Sequence, residues 1–301
     1  MKNSSKTKRK DYKSTPRHIS KKKAFNKSAK INNASSDNYN RTLIFGKHPC
    51  YQALLNKNRK IYKIFTTKNS HDELLSFLKD NKILHLESLI NKTDKIYLDR
   101  IVGKDQNHQN IVLSTSKIVI KGQSDLLEIL KNKANKSSSS KMPNILILDQ
   151  VTDPHNIGSI IRSAVAFNFN IIVFSRHNSI QENSIIAKSS AGNLEFIQPF
   201  IADNISDLII KLKKFGYWNI GLAGEASQDI SEITKFDNKV LILGSEGKGI
   251  RQLVKKNCDV LLKIDICQNV ESLNVANAAS IALFEATKPY IGQKQCITKL
   301  Q

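Results

Sequence analysis

The clearest hydrophobic pattern lies in the C-terminal half of the chain. Asn144-Ile-Leu-Ile-Leu-Asp149 is a continuous apolar run between polar ends, as expected of a strand buried on both faces. Beyond it, Ile157, Ile160, Ile161, Ala164 and Val165 follow the i, i+3, i+4, i+7, i+8 stripe of an amphipathic helix. Asn156 stands where an N-cap would. The pattern predicts further strands at 171–174, 218–222, 239–243 and 260–264. It predicts helices near 182–191, at 205–215 and from about 272 to 288. Strands alternating with helices imply a parallel sheet covered on both faces.

The pattern is sparser before residue 143. Leu43-Ile44-Phe45 is a short strand candidate ended by Gly46, and His48-Pro49 opens a helix through Tyr51, Ala53, Leu54 and Leu55. Strands are predicted at 61–65, 83–86 and 111–113, and a helix at 72–80. Residues 42–118 therefore read as a small α/β domain. Residues 119–143, with a serine run at 137–140, read as a linker. The larger α/β domain spans 144–289, and 290–301 is a C-terminal tail. The sequence holds no internal repeat.

Charge changes the picture at the N-terminus. The 301 residues carry a formal charge of +21. Residues 1–40 hold 12 Lys and Arg against Asp11 and Asp37, which places +10 of it there. Few apolar residues interrupt the segment, so 1–41 is read as a disordered basic tail. Such an arm would add salt-dependent, sequence-blind affinity for nucleic acid through counterion release. A solvated tail without a partner explains it equally well, and a Lys- and Asn-rich compositional bias accounts for part of the excess. Nucleic acid is nevertheless the partner to which this charge points.

Cys50, Cys258, Cys267 and Cys296 form no C-x-x-C pair and have no His at zinc-ligand spacing, so they read as reduced thiols with no metal. No apolar run approaches the roughly 18 residues needed to span a bilayer. The N-terminus lacks the apolar stretch of a secretory signal, and it is Lys-rich rather than an Arg-rich amphipathic presequence. The expected location is cytoplasmic, without a membrane.

Candidate chemistry gathers at strand ends, where parallel α/β domains bind ligands. Asp153-Pro-His-Asn156-Ile-Gly158 follows the first strand of the large domain, with Arg162 further along the helix. Gly244-Ser-Glu246-Gly-Lys-Gly249 follows the strand at 239–243, and Glu271-Ser272-Leu273-Asn274 precedes the last helix. The glycine spacing is G-x-x-G-x-G, the reverse of the dinucleotide fingerprint, and no Ser or Thr follows Lys248 as a P-loop requires. Alone, each cluster has an ordinary structural explanation: Asn156 a cap, the glycines a turn, Ser272 another cap. Their ordered combination is what carries information.

The segment Val151-Thr-Asp-Pro-His-Asn-Ile-Gly-Ser-Ile-Ile-Arg162-Ser resembles the first motif of the SpoU-type (TrmH-type) RNA 2′-O-ribose methyltransferases of the SPOUT superfamily. Leu241-Ile-Leu-Gly-Ser-Glu-Gly-Lys-Gly-Ile250 is similar to the second motif, and Ser272-Leu-Asn-Val-Ala-Asn-Ala-Ala279 to the third. Gly221-Leu-Ala-Gly-Glu225 resembles a stretch of the branch that modifies guanosine in bacterial 23S ribosomal RNA. Gly46-Lys-His48 and His108-Gln109-Asn-Ile-Val112 liken the small domain to the family's RNA-substrate-binding module.

The resemblance implies a deep trefoil knot in the C-terminal domain, a homodimer, and S-adenosylmethionine bound largely to backbone groups. Gly244, Ile264, Leu273, Ala223 and Gly224 would hold the donor. Arg162, Asn156, Glu246, Ser272 and Asn274 would serve catalysis, with Asn156 and Asn274 holding Arg162 and the ribose, and Glu246 pairing Arg162 or organising the RNA side. The family assigns the Arg to activating the ribose hydroxyl. A guanidinium is protonated at physiological pH, so orienting the hydroxyl and a phosphate is the better-founded role. Position and local charge would supply most of the acceleration.

Four residues depart from the family pattern: Asp265, which would add a carboxylate beside the donor, and Glu271, Asn110 and Gln52. Transfer RNA as substrate, or a non-catalytic RNA-binding relative acting in ribosome assembly, remain alternatives.

Overall fold

The computed structural model describes residues 40–136, 142–176, 182 and 184–288. The tail expected at 1–41, apart from its last two residues, lies outside them, as do the serine run, the C-terminal tail and Cys296.

The first part of the chain builds a four-stranded sheet from β1 (Arg41–Phe45), α1 (Lys47–Leu55), β2 (Ile61–Thr67), α2 (Lys68–Asp80), β3 (Ile90–Thr93), α3 (Lys95–Val102) and β4 (Ile111–Ser116). The strand order is β1-β4-β2-β3, with β4 antiparallel to both neighbours and β3 parallel to β2. The strand expected at 83–86 is a 3-10 helix, Leu84–Leu89, and the strand begins only at Ile90. Lys82 adopts φ 59° and Ile83 donates its N–H back to Leu78, so the chain curls off α2 instead of extending. The Gln109 side chain accepts the backbone N–H of Lys47 at 2.8 Å, which joins the two segments that carried this domain's resemblance.

The second sheet is built from β5 (Lys121–Gly122), α4 (Gln123–Lys136), β6 (Ile145–Asp149), α5 (Pro154–Ala166), β7 (Ile171–Ser175), α6 (Ser184–Ser189), β8 (Gln198–Ala202), α7 (Ile205–Lys213), β9 (Trp218–Leu222), β10 (Gln228–Asp229), β11 (Lys239–Gly244), α8 (Gln252–Asn257), β12 (Val260–Lys263) and α9 (Val275–Thr287). Its eight strands run in the order β10-β12-β9-β11-β6-β7-β8-β5, each parallel to its neighbours. Strand β6 shows why its sequence is apolar throughout. Leu146 and Leu148 join a cluster with α5 and α9, while Ile145 and Ile147 join another with α4 and α7. Side chains alternate across a strand, so a sheet covered on both faces needs an unbroken run.

Residues 119–143, read as a linker, instead carry β5 and α4. Leu126 and Leu130, one helical turn apart, are fully buried, and this shared face outweighs the polar composition that follows. The two sheets share a hydrophobic cluster that includes Ile44, Ile64 and Leu113 from the first and Leu146, Ile157 and Leu194 from the second.

A buried ion cluster adds to that junction. The Arg59 side chain, 1% exposed, pairs with Glu182 at 2.6 Å and Glu195 at 2.8 Å and donates to the Ser116 carbonyl at 2.6 Å. Burial alone would lower its pKa, but the two carboxylates outweigh that and raise it, so the guanidinium is held charged. No helix among the described residues is long and apolar enough to cross a membrane.

Candidate active site

Gly244 ends β11 where the chain must turn at once. A Cβ there would lie 1.9 Å from the Gly249 carbonyl carbon and 2.1 Å from the Ile250 nitrogen, so only hydrogen fits. Ser245 and Gly249 exchange backbone hydrogen bonds at 3.2 and 2.9 Å, and Gly247 and Gly249 take φ values of 82° and 65°. Arg251 then fastens the returning loop to β6. Its backbone N–H and its Nε donate to the Asp149 carboxylate at 3.0 and 2.8 Å, and Asp149 is wholly buried. The sequence reading missed this latch, although an acid closing an otherwise apolar strand was its visible sign.

Asn156 proves not to be the cap of α5. The Asp153 side chain takes that role, accepting from the N–H groups of His155 and Asn156 at 3.3 and 3.2 Å, with Pro154 opening the helix. The Asn156 amide is thereby free to act sideways. It donates to Glu246 at 3.4 Å and accepts from Asn274 at 3.0 Å. The cap of α9 is Asn274 rather than Ser272: its Oδ1 accepts from Ala276 and Asn277 at 2.9 and 3.4 Å. One polar chain, Glu246–Asn156–Asn274, therefore joins all three clusters seen in the sequence. Below it, Ser163 and Ser280 meet at 2.8 Å and lock α5 to α9.

Beside this chain opens a cavity of about 520 Å³. Gly244, Ile264, Leu273, Ala223 and Gly224 all line it, as do Glu246 and Ser272. Nothing stands within 4 Å of where a Cβ on Gly224 would be, so the backbone there faces open space. Ser272 is exposed and Glu271 also lines the wall. Asp265 does not line the cavity, although its neighbours Ile264 and Ile266 do; it pairs with Lys263 at 2.8 Å.

Arg162 is not brought into the cluster. It is exposed on α5, and Glu246 bonds Asn156 instead of pairing with it. Asn156 and Asn274 likewise hold each other and not the guanidinium. Six residues separate Arg162 from Asn156, roughly 9 Å along the helix axis and on a different face.

Two cysteines can be set aside chemically. Burial pushes the Cys50 thiol well above its usual value, and burial followed by the Asp259 charge pushes Cys258 up to about 12. Among the described residues no group of His, Cys, Asp and Glu is placed to hold a metal ion.

Residues 143–284 match the SpoU rRNA methylase family, and residues 43–118 match the RNA 2′-O ribose methyltransferase substrate-binding family. The chain belongs to the SpoU rRNA methylase family, a class of RNA 2′-O-ribose methyltransferases. Among its relatives is the 23S rRNA (guanosine-2′-O-)-methyltransferase RlmB of Vibrio parahaemolyticus, 30% identical over 252 residues that cover 83% of this chain and 98% of that protein. The RlmB of Coxiella burnetii is 33% identical over 248 residues, covering 81% and 94%. The fold matches the AdoMet-bound rRNA methyltransferase of Sinorhizobium meliloti with a TM-score of 0.66 at 20% identity, over 84% of this chain and 89% of that one. It also matches the SpoU methyltransferase AviRb of Streptomyces viridochromogenes in complex with AdoMet, with a TM-score of 0.65 at 18% identity, over 85% and 92%.

Proposed function

We propose that the protein transfers a methyl group from S-adenosylmethionine to the ribose 2′-hydroxyl of a guanosine in 23S ribosomal RNA, in the cytoplasm. The observation that carries this reading is the convergence of three separated segments on one cavity. Five backbone-rich positions line its wall together with Glu246, to which Asn156 and, through it, Asn274 are hydrogen-bonded. Relatives named as 23S rRNA guanosine methyltransferases, matched over nearly their whole length, support the substrate.

The cavity fits the donor. Its volume is that of a small-molecule site. Leu222, Leu243, Ile264 and Leu273 supply apolar wall for a purine, Gly224 lets backbone approach a ligand closely, and Gly244 lets the loop Ser245–Gly249 fold back to close the wall. When bound, the donor supplies a methyl group already activated by its sulfonium. The chain's own task is to hold the ribose hydroxyl in line and to favour loss of its proton.

Asn274 and Asn156 offer amides to the ribose side of the rim, and Glu246 keeps Asn156 oriented. Arg162 supplies a permanent positive charge that orients the hydroxyl and a neighbouring phosphate. Within one chain it stands away from the cavity, and Ile281 and Phe284 on the adjoining α9 are 39% and 41% exposed. A homodimer packed through α5 and α9 would cover both residues and let each copy lend its Arg162 to the other.

The path of the chain also supports the deep trefoil knot. Helix α9 packs against β11 and against the 3-10 helix Ile230–Lys235, which lies in the connection from β9 to β11. In the knotted path we propose, that connection is the loop through which the last segment would pass.

Purified protein should transfer labelled methyl groups from S-adenosylmethionine to ribosomal RNA from an unmodified strain. Arg162→Ala should lower that transfer by about 100-fold or more while donor affinity is retained. Undiminished transfer by the variant would sink the role given to Arg162.

A further inference from the structure

The charged residues in the cavity wall are Glu225, Glu246, Lys248, Lys255 and Glu271. Only one opposite-sign pair among them is in contact: Lys255 on α8 with Glu225 in the turn after β9. We propose that this pair is a zwitterion subsite, in which Lys255 takes the α-carboxylate and Glu225 the α-ammonium of the donor's methionine moiety. The proposal rests on the cavity being the donor site.

Geometry distinguishes this pair from a surface ion pair. The Lys255 side chain is 13% exposed, so its stem is fixed in the wall, whereas Glu225 is 61% exposed and can swing. Helix α8 is held in place just before Lys255, since Arg251 at its start is latched to the buried Asp149. Glu225 follows Gly224, whose backbone faces open space, in a turn closed by the Ala226 N–H donating to the Ala223 carbonyl at 3.1 Å. Both partners are thus set on short, tethered segments on one wall. The hydrogen bond from Lys255 holds the Glu225 carboxyl below its usual range.

Selectivity follows from the pairing. A lone lysine here would attract any anion, including the phosphates of an RNA substrate. A lysine already matched to a glutamate presents no net charge to a phosphate. It complements a ligand that carries both signs close together, as an α-amino acid does. The other charged lining residues do not offer this. Glu246 is engaged by Asn156, while Lys248 and Glu271 are exposed on separate loops.

Isothermal titration of the full-length protein with two ligands tests the assignment. S-adenosylhomocysteine carries the amino-acid group; 5′-deoxy-5′-methylthioadenosine keeps the nucleoside and thioether but lacks it. The wild type should bind the first at least about tenfold more tightly, the scale of one charge-assisted contact. Lys255→Met and Glu225→Gln should each weaken S-adenosylhomocysteine by roughly tenfold and leave methylthioadenosine within about twofold. Lys255→Arg should restore most of the loss, and melting curves will show that the variants fold. Equal losses for both ligands, or no loss for either, would overturn the subsite while leaving the cavity as the donor site. A wild type that binds neither ligand would overturn the donor reading and the subsite together.

Discussion

Gly244→Ala puts the geometry of the donor loop to a direct test. The added methyl would sit 1.9 Å from the carbonyl carbon of Gly249, 2.1 Å from the Ile250 nitrogen and 2.2 Å from the Gly249 oxygen. Ordinary contact for a Cβ begins near 3.4 Å, so the returning backbone must retreat by about 1.5 Å. It cannot do so freely. Ser245 and Gly249 are bonded to each other, Ile250 is 1% exposed, and Arg251 is fastened to Asp149.

Overpacking of this kind costs about 1–3 kcal/mol, which for a chain of this size is a melting-temperature drop of roughly 2–12 °C. Binding should suffer more than folding, because the displaced segment lines the cavity. Displacements near 1 Å at a functional site cost on the order of 100-fold. Calorimetric melting together with titration of S-adenosylhomocysteine measures both quantities. A variant with wild-type melting and wild-type affinity would show that the loop is not packed as described and does not contact the donor.

Three other perturbations probe the frame around the site. Arg59→Met leaves the Glu182 and Glu195 side chains, each 3% exposed, without their cation. It should cost about 3–5 kcal/mol by chemical denaturation, and adding Glu182→Gln and Glu195→Gln should recover much of that; no loss in the single variant would contradict the buried cluster. At Asp259, burial pushes the carboxyl up, but Lys213 and two N–H donors of Asn219 outweigh it and hold it below its usual range. A carboxyl lowered on folding stabilises the protein above its unfolded pKa, and that contribution fades as pH falls through the folded value. Asp259→Asn should therefore lower the melting temperature at pH 7 and lose that difference below about pH 4; a gap constant with pH would refute the pairing. Deleting residues 1–40, which carry a formal charge of +10, should weaken RNA binding and flatten its salt dependence, and no change in either would leave the segment without that role.

What was legible in the sequence follows from where each signal lives. Strand β6 and helix α5 announced themselves because burial on two faces, or on one stripe, is written in neighbouring residues. Helix α4 was legible in the helical spacing of Leu126, Leu127, Ile129 and Leu130, but the polar, serine-rich residues that follow it masked the signal. The 3-10 helix at Leu84–Leu89 defeated the strand expectation through a single left-handed residue, Lys82, which composition does not reveal.

At the site, the five positions expected to hold the donor share one cavity, since each ends or follows a strand or precedes a helix. The cap was displaced by three residues, from Asn156 to Asp153, and that displacement is what frees Asn156 to reach Glu246. Asp149–Arg251 and Glu225–Lys255 join residues 102 and 30 positions apart, a proximity that only folding creates.

The product of the reaction is a methyl group on a ribose oxygen of 23S ribosomal RNA. Unmodified 23S RNA should be incubated with the purified protein and isotopically labelled S-adenosylmethionine, digested to nucleosides and analysed by mass spectrometry. Label should appear in 2′-O-methylguanosine, at one position of the RNA. Label on a base, or label in transfer RNA with none in 23S RNA, would contradict it.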